Sequence, residues 1–255
     1  MPQIMAYLNR EFFDTGDAFG TAKSLGFDAV EIPESFFTPP EHEKDRMHLA
    51  RILKTYGLKA RWHTNPQYNR HLSSENAVLR SENIERMLWE LAFARKMGWN
   101  EFIIHPGPAA TERDKQRVYE SLKVINEKAC KLHIQLLLEN ASGAFDGDPY
   151  ELVRIMNEVP GLKITLDLVH AFRSFFCKTG KGTLIDYLSI LSPFISSFQF
   201  NDYDGEKRCT VGTGVLPWQT LMPKILSTQC KTWTIELHTV QETVSSKEYL
   251  QRWLD

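Results

Sequence analysis

A chain of 255 residues, 42% hydrophobic and 24% charged, has the make-up of an ordinary globular domain with a sizeable core. Its formal charge of −2 gives no general pull on nucleic acid or an anionic membrane, and its apolar runs are far too short to span a bilayer. Met1-Pro2-Gln3-Ile4 lacks the basic start and apolar stretch of a signal peptide, so the expected location is the cytoplasm. Cys130, Cys177, Cys209 and Cys230 show no CxxC spacing and are expected to be reduced thiols.

In chain order, eight short aliphatic or β-branched runs alternate with longer stretches of helical period: Gln3–Tyr7, Ala29–Ile32, Ala60–His63, Glu101–His105, Ile134–Asn140, Lys163–Leu168, Ser197–Asp202 and Thr232–Leu237. The first intervening helix is expected over Asp17–Leu25, stopped by Gly26. The second covers His42–Tyr56, stopped by Gly57. A third covers Asn76–Met97, stopped by Gly98, with Leu79, Ile84, Leu88, Leu91 and Ala92 as its apolar stripe. A fourth, Thr111–Leu132, opens with a capping Thr111 and the dipole-matched Glu112. This alternation fits an open doubly wound sheet or a closed barrel. Eight evenly spaced strands, with no GxGxxG after the first, favour a single-domain (β/α)₈ TIM barrel over residues 1–255.

In such a barrel the C-terminal ends of the strands open on one mouth. Here those ends carry Glu31, then His63, His105, Glu139-Asn140, Asp167 with His170, Gln199 with Asn201 and Asp202, and finally Glu236 with His238. One histidine or glutamate at a strand end is ordinarily a hydrogen-bonded structural group. Five consecutive strands ending in a ligand-type side chain are harder to explain that way. A carboxylate after Leu136-Leu137-Leu138 loses hydration, and three carboxylates converging on one mouth repel, so a divalent cation is the natural compensation. Mixed imidazole and carboxylate donors suit zinc, manganese, cobalt or iron better than magnesium or calcium, with one or two ions of zinc or manganese expected first.

These motifs resemble the xylose isomerase-like barrel superfamily, which includes sugar-phosphate isomerases and epimerases as well as endonuclease IV. The resemblance runs through Gly26-Phe27-Asp28-Ala29-Val30-Glu31, His63-Thr64-Asn65-Pro66, His105-Pro106-Gly107, Leu138-Glu139-Asn140, Asp167-Leu168-Val169-His170, Gln199-Phe200-Asn201-Asp202, Gly212-Thr213-Gly214 with Trp218, and Ile235-Glu236. It implies a central metal held by Glu139, Asp167, the seventh-strand residue and Glu236. The usual histidine of that strand is Gln199 here, a weaker neutral donor. Likeness to endonuclease IV adds His63, His105 and Glu139 as a further ligand set. It also leaves a third site broken, because Glu206 and Arg208 stand at two of its positions.

By resemblance to the epimerases, Glu139 and Glu236 carry protons to and from a carbon beside a carbonyl, through an enediolate, while Asp167 only ligates. His170 and His63 hydrogen-bond substrate hydroxyls, and Asn140 and Asn201 lie with them as expected substrate contacts. Trp62 is read either as a sugar-stacking ring or as a buried one. Lys178, Lys181 and Arg208, with Arg173 and Lys207, form either a solvated surface or a clamp for a substrate phosphate or carboxylate. Phe172, Phe175 and Phe176 are either a lid or rim packing. The expected partner is a small carbohydrate, with no membrane partner, nucleic acid disfavoured by the overall charge though a local basic patch is left open, and a homo-oligomer left open. Two alternatives stand beside the isomerase: a phosphodiester hydrolase with fewer metals than endonuclease IV, and a non-catalytic barrel that has lost its metal.

Overall fold

A computed structural model describes residues 1–36 and 43–255. Eight parallel strands close into a barrel: Gln3–Tyr7, Ala29–Pro33, Lys59–His63, Glu101–Ile104, Gln135–Glu139, Lys163–Asp167, Ile195–Phe200 and Thr232–Ile235. All eight expected strands are present, within one or two residues at each end. The seventh is shifted by two residues at both ends and stops at Phe200. Asp202–Tyr203 instead pairs antiparallel with Arg208–Cys209 in a small ribbon.

Two compact units divide the chain. The first comprises Met1–Ala60, Asp167–Val169 and Ser196–Asp255. In it the first strand pairs with the eighth from Gln3↔Thr232 to Ala6↔Ile235 and with the second at Tyr7↔Glu31, and the eighth pairs with the seventh at Thr234↔Gln199. The second unit comprises Arg61–Leu166 and His170–Ile195. In it the fourth strand pairs with the third at Trp62↔Phe102 and with the fifth at Ile104↔Leu138, and the fifth pairs with the sixth at Glu139↔Thr165.

Parallel strands covered on both faces need unbroken apolar runs rather than alternation. Leu136, Leu137 and Leu138 meet that need, each fully buried and worth about 2 kcal/mol on removal from water. Several of the helices start at polar caps. The Thr111 hydroxyl accepts from the Asp114 amide while Asp114 caps Thr111 in return, and Thr183/Asp186 and Thr239/Glu242 repeat the device. They stop where the sequence said they would, with Gly26, Gly57 and Gly98 in the left-handed region at φ +74°, +63° and +76°. The second expected helix is found over Glu43–Tyr56, and its expected first residue, His42, lies outside the described residues.

The stripe expected on the third helix is only partly correct. In Ala77–Lys96 the inward face is Asn83, Met87, Glu90, Leu91, Phe93 and Ala94, while Leu79 is 41% exposed. That face includes a buried polar contact. Glu90 accepts from the Trp62 indole N–H at 2.8 Å and from Arg86 Nε at 3.0 Å, so a carboxylate occupies a core position that the apolar stripe did not include. Among the described residues, no helix is long and apolar enough to cross a membrane.

Candidate active site

Each unit carries ligand-type side chains at its strand ends. In the second unit, His63 closes the third strand, His105 follows the fourth, and Glu139 closes the fifth. All three are buried, at 5%, 9% and 2% exposure. The two Nε2 atoms lie 3.0 Å apart, and they sit 3.2 Å and 3.9 Å from Glu139 Oε2. His170, half-buried, brings its Nε2 to 3.9 Å from Glu139 Oε1.

The candidate ligand atoms of His63, His105 and Glu139 all lie within 4.8 Å of one another. Two nitrogens bound tetrahedrally to zinc at ordinary bond lengths sit roughly 3.3 Å apart, close to the separation seen here. This donor set fits a divalent transition-metal ion in both chemistry and spacing.

The first unit carries a different arrangement. Asp167 ends the sixth strand and is fully buried. Its Oδ2 accepts from Arg208 Nη2 at 2.8 Å and from Asn201 Nδ2 at 2.8 Å. Arg208 Nη1 reaches 3.0 Å to Glu236 Oε1, so one guanidinium bridges two carboxylates. Glu236, just past the eighth strand, has a side chain only 12% exposed, and its Oε2 has no hydrogen-bond partner. Burial pushes its carboxyl up from 4.5 to about 7. The positive Arg208 works against that rise, and the negative Asp167 and Glu31 add to it. Gln199 Nε2 donates to Glu31 Oε1 at 3.0 Å, and Thr234 Oγ1 donates to Glu31 Oε2 at 2.9 Å.

Several expected substrate contacts have other work. Trp62 is 1% exposed, stacked on Trp99 with centroids 5.4 Å apart and bonded to Glu90, so the buried reading holds and its ring offers no face to a sugar. Asn201 is committed at both ends of its amide, to Asp167 and to the Val169 N–H at 3.2 Å, which makes it a brace for Asp167 rather than a substrate contact. Arg208 points its charge at the chain's own carboxylates, which leaves it ill-suited as a phosphate clamp. Asn140 is fully buried.

Lys178 is exposed, and Lys181 is 53% exposed, 5.2 Å above the Phe175 ring. Phe176 packs edge-on against Tyr150 and Tyr187 as rim filling, whereas Phe175 is 44% exposed. All four cysteines are free thiols, and burial raises those of Cys177 and Cys209, as apolar fillers rather than nucleophiles require.

Asp202 is a structural clamp. Its carboxylate accepts from the N–H groups of Tyr203, Gly212, Gly214 and Leu216 and from the Trp218 indole. Sequence reasoning did not foresee this pairing or that of Arg208. Arg208 lies eight residues beyond the end of its strand, and nothing in the linear order tells where so long a side chain folds back.

A profile of the family described as "Xylose isomerase-like TIM barrel" matches residues 19–254. The chain belongs to that family. Among curated proteins it is 28% identical over 167 residues to "Probable endonuclease 4" of Aquifex aeolicus, an alignment that covers 60% of this chain and 58% of that relative's length. Among solved structures it resembles a D-tagatose 3-epimerase-like protein at TM-score 0.82, with 19% identity over 99% of this chain and 97% of the other. It also resembles the D-psicose 3-epimerase of Clostridium cellulolyticum H10, solved with D-tagatose, at TM-score 0.78, with 13% identity over 99% of each chain. At such identities the likeness is one of fold.

Proposed function

We propose that the chain is an isomerase or epimerase of a sugar or related polyol, with Glu139 and Glu236 as the proton-carrying pair. The observation that carries this reading is the state of Glu236. A carboxyl pushed to about 7, with one buried oxygen unpartnered, is matched to taking and returning a proton near neutrality. Its complement, Glu139, ends another strand of a barrel of the kind whose strand ends share one mouth.

The chemistry removes a proton beside a carbonyl and returns it on the other face or the neighbouring carbon. His63, His105 and Glu139 would hold a zinc or manganese ion, which when bound supplies Lewis-acid stabilisation of the developing oxyanion. Asp167, braced by Asn201 and paired with Arg208, keeps negative charge beside Glu236 and helps hold its carboxyl high. His170 is half-exposed and placed to hydrogen-bond a substrate hydroxyl. Lys178 and Lys181, both exposed, would meet a phosphate or carboxylate on the substrate if it carries one. The structural relatives are named as a D-tagatose 3-epimerase-like protein and a D-psicose 3-epimerase solved with D-tagatose, which makes ketoses the first substrates to try.

The test is incubation with ketopentoses and ketohexoses in D₂O, followed by NMR. Deuterium appearing at the carbon beside the carbonyl, and lost in both Glu139→Gln and Glu236→Gln, is the expected result. A second reading, hydrolysis of phosphodiesters, is favoured by the sequence similarity to the curated endonuclease 4 relative. Cleavage of abasic-site DNA with no deuterium exchange in any ketose would replace the first reading with the second.

A further inference from the structure

Resemblance implied that Glu139, Asp167, Gln199 and Glu236 share a metal. In the first unit one oxygen each of Asp167 and Glu236 already has a partner of another kind, while Glu236 Oε2 and Gln199 Oε1 are buried without one, so what bars an ion there is charge rather than filled ligand atoms. Arg208 sets one nitrogen 2.8 Å from Asp167 Oδ2 and another 3.0 Å from Glu236 Oε1. A guanidinium stays protonated at any pH the fold survives, and its planar fork can meet two carboxylates at once. Gln199, standing in for the usual histidine, turns its Nε2 to Glu31. A divalent ion between Asp167 and Glu236 would face a fixed positive charge already within ion-pair distance of both. This half of the set does not fit the metal.

We infer that Arg208 is the resident cation of the Asp167–Glu236 pair, that this pair takes no divalent ion, and that the chain binds a single ion, at His63, His105 and Glu139. The consequence for chemistry, which rests on the isomerase reading, is a division of labour. Glu236 moves its proton without also holding the ion, whereas Glu139 does both. The negative charge that a central metal would have balanced is balanced instead by a side chain that cannot be chelated away. The inference about ion binding does not depend on the substrate.

The test is calorimetric titration of Mn²⁺ alone into the full chain after chelator stripping, with circular dichroism of each variant. Wild type is expected to bind one ion. Glu236→Gln should leave its Kd within about twofold, while His63→Ala should weaken it by at least about tenfold. Arg208→Met should open the carboxylate pair and raise the stoichiometry to two, and Arg208→Lys should keep it at one. If Arg208→Met does not fold, the Glu236→Gln comparison decides alone.

Two ions in wild type overturn the inference. So does a folded Arg208→Met that still binds one, or a Glu236→Gln that weakens binding as much as His63→Ala. A wild type that binds no ion agrees with the role of Arg208 and removes the ion proposed at the histidines, so the two readings fail separately.

Discussion

Arg208→Met keeps most of the aliphatic length and removes the charge. It leaves Asp167, fully buried, and Glu236, 12% exposed, without their shared counter-ion. Removing one partner of a buried ion pair costs about 3–5 kcal/mol. Because Glu236 can take up a proton, and Arg208 itself is 17% exposed, a loss of about 2–4 kcal/mol at pH 8 is expected. The pH dependence follows from the raised carboxyl. Glu236 holds its proton up to about 7 in the folded chain and only up to about 4.5 when unfolded, so between those values the folded state binds more protons. Wild-type stability therefore falls as pH rises through that window, by up to about 3 kcal/mol from this group.

Without the guanidinium the Glu236 carboxyl moves higher still. The deficit of the variant should thus be largest at pH 8 and shrink toward pH 6, where wild-type Glu236 is itself largely protonated. Urea unfolding, followed by tryptophan fluorescence at both pH values with chelator present, measures it. A deficit under about 1 kcal/mol at pH 8, or one that is the same at both pH values, would refute the argument.

Glu236→Gln should lower any proton exchange into substrate by at least about a hundredfold while leaving the fold intact, as read by NMR in D₂O and circular dichroism. Gln199→Leu removes a donor from the buried Glu31 carboxylate and should cost about 1–3 kcal/mol in urea unfolding; a neutral result would mean that Glu31 is protonated or wet. Trp62→Phe takes the indole N–H from Glu90 and should cost a similar amount, with no change in turnover, because the ring does not reach the substrate. Asp202→Ala strips one acceptor from five donors and should lower stability by on the order of 3 kcal/mol or more, visible as a drop in Tm.

The barrel was legible in the sequence because its causes are local. Leu136-Leu137-Leu138 reads as an apolar strand, Thr111 and Glu112 as a helix start, and Gly26, Gly57 and Gly98 as stops, each signal spanning a few residues. The same local reading placed His63, His105, Glu139, Asp167 and Glu236 at strand ends, since a residue's place along its strand sets where it emerges. What those side chains do to one another was not local. Trp62 and Glu90 are 28 positions apart, Arg208 and Asp167 41, and Gln199 and Glu31 168.

Composition marks the carboxylates as needing positive charge, but it does not say whether a metal or a folded-back arginine provides it. A long flexible side chain on a ribbon beyond the seventh strand is free in the unfolded chain to pair with any acid. Only the closed fold, by burying Asp167 and bringing Glu236 beside it, makes one partner worth the loss of that freedom.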